Sequence, residues 1–64
     1  MQNIVMNVNK NGILTIKIDL NETIGYSRTG KSILIASTEG NIDVPGMDDD
    51  IKIGLNVYKP NPDW

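Results

Sequence analysis

The amino-acid sequence predicts an all-β fold of about five short antiparallel strands, forming a small barrel or sandwich completed by oligomerisation. Three observations predict it. Several segments alternate apolar and polar residues with a period of two, turn-forming residues recur roughly every ten positions, and no apolar stripe runs at helical spacing over three turns.

In the first strand Ile4, Met6 and Val8 share one face, with Asn3, Asn7 and Asn9 on the other. The second carries Leu14, Ile16, Ile18 and Leu20, with Thr15, Lys17 and Asp19 between them. Asn11-Gly12 suggests a two-residue turn, but that register sets Val8 against Thr15 and puts the two apolar sets on opposite faces. A three-residue loop, Lys10-Asn11-Gly12, pairs Val8 with Leu14, Met6 with Ile16 and Ile4 with Ile18. Its last position needs a left-handed backbone, which glycine supplies without strain. The three-residue loop is therefore expected.

Asn21 to Gly25 reads as a short turn or a single helical turn, with Asn21 as a fair cap. Ser27 to Ser32 is polar and contains Gly30, so it reads as a loop. Ile33 to Thr38 forms a strand, with Ile33 and Ile35 facing one way and Leu34 and Ala36 the other. A strand apolar on both sides in so short a chain implies a closed barrel or a partner subunit. Glu39-Gly40-Asn41 turns into a short strand bearing Ile42 and Val44, which Pro45-Gly46 stops. Met47 to Asp50 reads as a loop, because adjacent carboxylates repel. The last strand sets Ile51, Ile53, Leu55 and Val57 inside, with Gly54 on the outer face permitting a bulge or a close approach. The organisation is one β-domain over residues 1–59 and a Pro-rich tail over 60–64 that does not extend the sheet.

At 64 residues the chain buries only about 60 % of its unfolded surface, so its own core is marginal. Its apolar residues are mostly aliphatic, with ten Ile against one Trp, two Tyr and no Phe. There is no cysteine or histidine, which removes disulfides and argues against structural zinc. Domains of this size without such staples gain stability by associating, so a dimer or tetramer is expected. No basic stretch followed by an apolar one opens the chain, and no apolar run approaches a membrane span, so a cytoplasmic location without membrane contact is expected.

Gly25 to Ser32 fits G-x-x-x-x-G-K-S at every position and so resembles the P-loop nucleotide hydrolases. The resemblance covers these eight residues and implies loop amides around phosphates, Lys31 on the terminal phosphates and Ser32 on magnesium. That family needs a strand before the loop and a helix after it. Here the β-branched run from Ile33 follows, so the segment reads as a glycine-containing loop between strands, with no cofactor.

The same loop carries a second reading. Arg28 and Lys31, with Tyr26 beside them, form a basic spot on a chain of net charge −2. Arginine, lysine and an aromatic together grip a phosphodiester backbone and stack a base. Lys17, Lys52 and Tyr58 fall on outward faces and extend that surface. With no histidine or cysteine to serve as base or nucleophile, the expected role is a non-catalytic binding module for single-stranded nucleic acid. The alternative is a protein-interaction or inhibitor module, of the kind phages and other mobile elements encode, using a strand edge or Asp48 to Asp50. A metal site at Asp48 to Asp50 is not expected, since calcium loops space their carboxylates at alternate positions.

Overall fold

A computed structural model describes residues 1–46 and 50–64 of the chain. The described residues hold no helix; the fold is all-β, with seven short strands in three small antiparallel sheets. β1 (Val5–Val8) pairs with β2 (Leu14–Lys17) as a two-stranded ribbon. β3 (Gly25–Tyr26), β4 (Ser32–Ser37) and β7 (Asn56–Pro60) form a three-stranded sheet with β4 at its centre. β5 (Ile42–Asp43) pairs with β6 (Lys52–Ile53). None of the sheets closes on itself.

The first hairpin has the register that the pleat demands, with Val8 opposite Leu14 and Met6 opposite Ile16. Its loop turns at Asn9–Gly12, where the Gly12 amide donates to the Asn9 carbonyl at 3.0 Å, and Gly12 takes φ +79°. Asn9 braces the loop from within, its Oδ1 accepting from the amides of Asn11 and Ile13. The expected Ile4–Ile18 rung is absent from the ladder. There Asn3 has φ +58°, and its carboxamide takes over the pairing. Nδ2 donates to the Asp19 carbonyl (2.9 Å) and Oδ1 accepts from the Asp19 amide (3.4 Å). The same Nδ2 reaches the Ile35 carbonyl at 2.9 Å, which stitches the ribbon to β4.

β4 departs from simple alternation. Leu34 faces Tyr58 and Ala36 faces Val57, so Ile35 and Ala36 together oppose one residue, a β-bulge. The bulge turns both side chains inward, and Ile4, Ile35 and Ala36 form the buried cluster. Met6, Ile18, Leu55 and Val57 pack around it. Leu34 and Ala36 therefore do not share a face as simple alternation would require.

The single strand expected over Ile51 to Val57 is two. β6 ends at Ile53, and at Gly54 a Cβ would run into the Asn41 side chain and come within 3.7 Å of its Cα. After this approach the chain rejoins β4: the Thr38 amide donates to the Leu55 carbonyl (3.1 Å) and the Leu55 amide donates to Thr38 Oγ1 (3.1 Å). β7 then runs through Pro60, one residue into the segment read as a tail.

The molecule is long and thin, with extents of 44 × 21 × 12 Å and a radius of gyration of 13.7 Å. A compact chain of this length has a radius near ~11 Å. Among the described residues no helix is long and apolar enough to cross a membrane.

Candidate functional site

Gly25 to Ser32, the Walker-like segment, is a β-hairpin. β3 leads in, Arg28 to Lys31 form the loop, and β4 leads out. The loop is closed by Ser27 and Ser32. The Ser27 amide donates to the Ser32 carbonyl (2.9 Å), and the Ser32 amide donates to Ser27 Oγ (3.1 Å). The Gly30 amide donates to the Ser27 carbonyl at 2.9 Å, with Gly30 at φ +81°. The amides of Ser27, Gly30 and Ser32 are thus spent inside the hairpin. With a strand where a helix would start, no helix dipole points at the loop, and the phosphate cradle implied by the P-loop resemblance is not built.

The end of the chain holds this loop from behind. The Asn61 amide donates to the Lys31 carbonyl and Asn61 Nδ2 to the Gly30 carbonyl, both at 2.8 Å. The loop is thereby tied at two successive carbonyls by one residue, set between Pro60 and Pro62. Trp64 lies against Gly30, with ring carbons 3.8 and 3.9 Å from where a Cβ would be. The Lys31 ammonium sits over the same ring, 5.5 Å from its centroid. A cation over an exposed indole gains about 0.5–1 kcal/mol, and Trp64 is 70 % exposed. The residues after β7 thus close on the hairpin loop.

In front of the loop is an open groove of about 510 Å³, lined chiefly by Arg28, Lys31, Leu34, Asn56 and Tyr58. Its geometry follows from register. Residues opposite one another on antiparallel strands project to the same face, and successive residues to opposite faces. Leu34 is opposite Tyr58, so both point into the groove. Asn56 lies two residues from Tyr58 and joins them; its Oδ1 accepts from Ser37 Oγ at 2.7 Å, so its NH₂ is the donor left to the side chain. Among the described residues, no carboxylate lies within 4 Å of Arg28 or Lys31. The groove is thus lined by two cationic side chains, an amide and a tyrosine ring, with the hydroxyls of Ser27, Thr29 and Ser32 around them and Leu34 its one aliphatic residue.

Of the six candidate residues, Arg28, Lys31 and Tyr58 are brought together. Tyr26 is on β3 opposite Ile33, hence on the other face of the sheet from Tyr58. Lys17 belongs to the ribbon and lines a separate hollow with Val5 and Asp19. Lys52 is engaged across the β5–β6 pair, its ammonium bound to Asp43 and, at 2.9 Å, to Asp50. Those hydrogen bonds, the Asp43 one first, hold its pKa above the ordinary lysine value. In the acidic run, Asp48 and Asp49 lie outside the described residues. Leu34, Asn56 and Asn61 were not singled out as site residues by sequence, which marked Trp64 only as a residue that could pin the tail; the signal for Asn61 was the Pro60-Asn61-Pro62 triplet, which fixes the path of the chain around it.

Compared with protein-family models, with curated proteins and with solved structures, the chain matches none.

Proposed function

We propose that the chain is a non-catalytic all-β binding module that acts as a homo-oligomer and holds single-stranded nucleic acid in the Arg28–Lys31–Tyr58 groove. The observation that carries this reading is one open groove lined by an exposed aromatic ring and two cationic side chains with no carboxylate within 4 Å among the described residues, Lys31 resting over the Trp64 ring. In this scheme Arg28 and Lys31 neutralise neighbouring phosphates and the Tyr58 ring stacks a base. The Asn56 amide donates to a base edge or sugar. An open groove with one aromatic platform suits a splayed strand, since a duplex hides its base faces.

The net charge of −2 does not set the field at this site. Glu39 contacts the N-terminal ammonium, Asp43 and Asp50 share the single charge of Lys52, and among the described residues no carboxylate lies within 4 Å of Arg28 or Lys31. Local charge governs a contact made within a Debye length of about 8 Å. The reading is tested by fluorescence anisotropy with a labelled oligothymidylate. Binding that weakens with salt, and that is lost in Arg28→Gln/Lys31→Gln, supports it. Absence of binding at low salt refutes it.

A further inference from the structure

The β1–β2 ribbon has an apolar face that this chain does not cover. Its cross-strand pairs alternate, with Met6/Ile16 and Val8/Leu14 on one face and Val5/Lys17 and Asn7/Thr15 on the other. The first face is apolar at every position. Only its base packs, where Met6 and Ile18 meet the Ile4–Ile35–Ala36 cluster. No Cα of β1 or β2 comes within 8 Å of any other strand, so Val8, Leu14 and Ile16 extend past the body. On this face Ile16 is 37 % exposed, and Leu20 at the base is 67 % exposed; Val5 and Ile13 are exposed on the opposite face. A two-stranded ribbon alone is marginal in water and needs its apolar face covered.

Area and charge indicate what covers it. The chain exposes 4901 Å², about 800 Å² more than the ~4,100 Å² expected of a compact monomer of its mass. That surplus is about what one partner contributes to a stable interface, ~800 Å². Charge is divided along the sequence: residues 1–18 carry Lys10 and Lys17 and no carboxylate, and all eight acidic residues follow from Asp19 onward. Two ribbons stacked face to face and antiparallel bring the Lys10 tip of one over the base of the other, where Asp19, Leu20 and Glu22 lie. Val8 and Leu14 near each tip then approach Leu20 at the opposite base. Lys17 is on the outer face and is not buried in the seam. A parallel stack would instead put the two Lys10 side chains together.

We propose that two copies of the chain dimerise through the apolar face of the β1–β2 ribbon, about a two-fold axis. Lys10 of each copy then reaches Asp19 and Glu22 of the partner subunit. This contact is isologous and closes on itself. It gives a surface to the oligomer named above and rests on that part of the reading alone. Ala36 and Val57, against which the ribbon packs, face away from Leu34 and Tyr58. Both grooves of the dimer therefore stay open.

Sedimentation equilibrium of the pure full-length chain, without oligonucleotide, tests it. A mass of twice 7.1 kDa is expected, and Ile16→Lys is expected to sediment as a monomer with an unchanged circular dichroism spectrum. Thr15→Lys, on the other face, remains dimeric. Lys10→Glu weakens the dimer about tenfold, since it reverses two symmetry-related exposed pairs, and Glu22→Lys in the same chain restores it. A monomeric wild type, a larger open assembly, or an Ile16→Lys chain that stays dimeric overturns the proposal. No oligonucleotide is present, so such a result leaves the groove reading standing, and a dimer that ignores oligonucleotide leaves this one standing.

Discussion

Replacing Arg28 and Lys31 by glutamine removes both cations of the groove while keeping chain length and polarity. The expected effect can be worked from the geometry. Each cation that neutralises a phosphate on a single strand contributes about −0.7 to the slope of log K against log salt. Two cations give roughly −1.4, so binding weakens about sevenfold between about 50 and 200 mM salt. Either single variant halves the slope, and the double variant flattens it. Tyr58→Ala acts differently, lowering affinity by about 1–3 kcal/mol through lost stacking while leaving the slope unchanged. Lys52→Gln also leaves the slope unchanged, because its ammonium is bound to Asp43 and Asp50 rather than offered to a ligand. Anisotropy titrations at four or five salt concentrations, with each variant, separate these effects. A slope that survives in the double variant, or disappears in Lys52→Gln, refutes the assignment of the groove.

Three further outcomes concern stability. Thr38 is buried, donates to the Gly40 carbonyl and accepts from the Leu55 amide; Thr38→Val keeps the shape but strands both partners, and should lower stability in urea by about 1–3 kcal/mol. Gly12 takes φ +79° with open space around it, so Gly12→Ala should lose about 1–2 kcal/mol to backbone strain alone, and Gly12→Asn less. Glu39 is held below the ordinary carboxylate range, first by its hydrogen bond from the N-terminal ammonium (3.1 Å) and then by that from Gln2 (2.7 Å). Its folded pKa is depressed, so its contribution is present above the ordinary carboxylate value and is lost as pH falls through the folded one. Melting curves of the wild type and Glu39→Gln should accordingly differ near neutrality and converge in acid; a difference that persists in acid contradicts the contact.

The parts of this fold that were legible in the sequence are those decided by neighbours in the chain. The Val8–Leu14 register follows from period-two patterning and one left-handed glycine, both visible in a dozen residues. Ile33 to Thr38 is recognisable as a strand from β-branching alone. What was not legible depends on distant residues. The bulge at Ile35 exists because the cluster around Ile4 takes two adjacent side chains, and nothing near Ile35 announces that. The break at Gly54 reflects Asn41 crossing beside it. The Ile4–Ile18 rung is replaced by a side chain, Asn3, whose second hydrogen bond goes to Ile35, far along the chain. The site divides in the same way. Arg28 and Lys31 were visible as a local basic loop, whereas the partnership with Tyr58 rests on its pairing with Leu34. That same register puts Tyr26 on the opposite face, and the β5–β6 pairing gives Lys52 to Asp43.

The position of β4 at the centre of its sheet has a consequence for the order in which the molecule is made. On one side β4 meets β3 across a tight loop, a closure of the kind completed in about 1–10 μs. On the other it meets β7 only after residues 38–55 have been gathered in, and such long-range pairings set the slow timescale of β-rich chains. The two cations come with the fast hairpin, while Tyr58, Asn56 and the Asn61 tether come with the slow strand. A chain caught between these steps carries the charge of the site without its ring or its brace. On the proposed function, discrimination among ligands is thus the last property to be acquired as the chain folds.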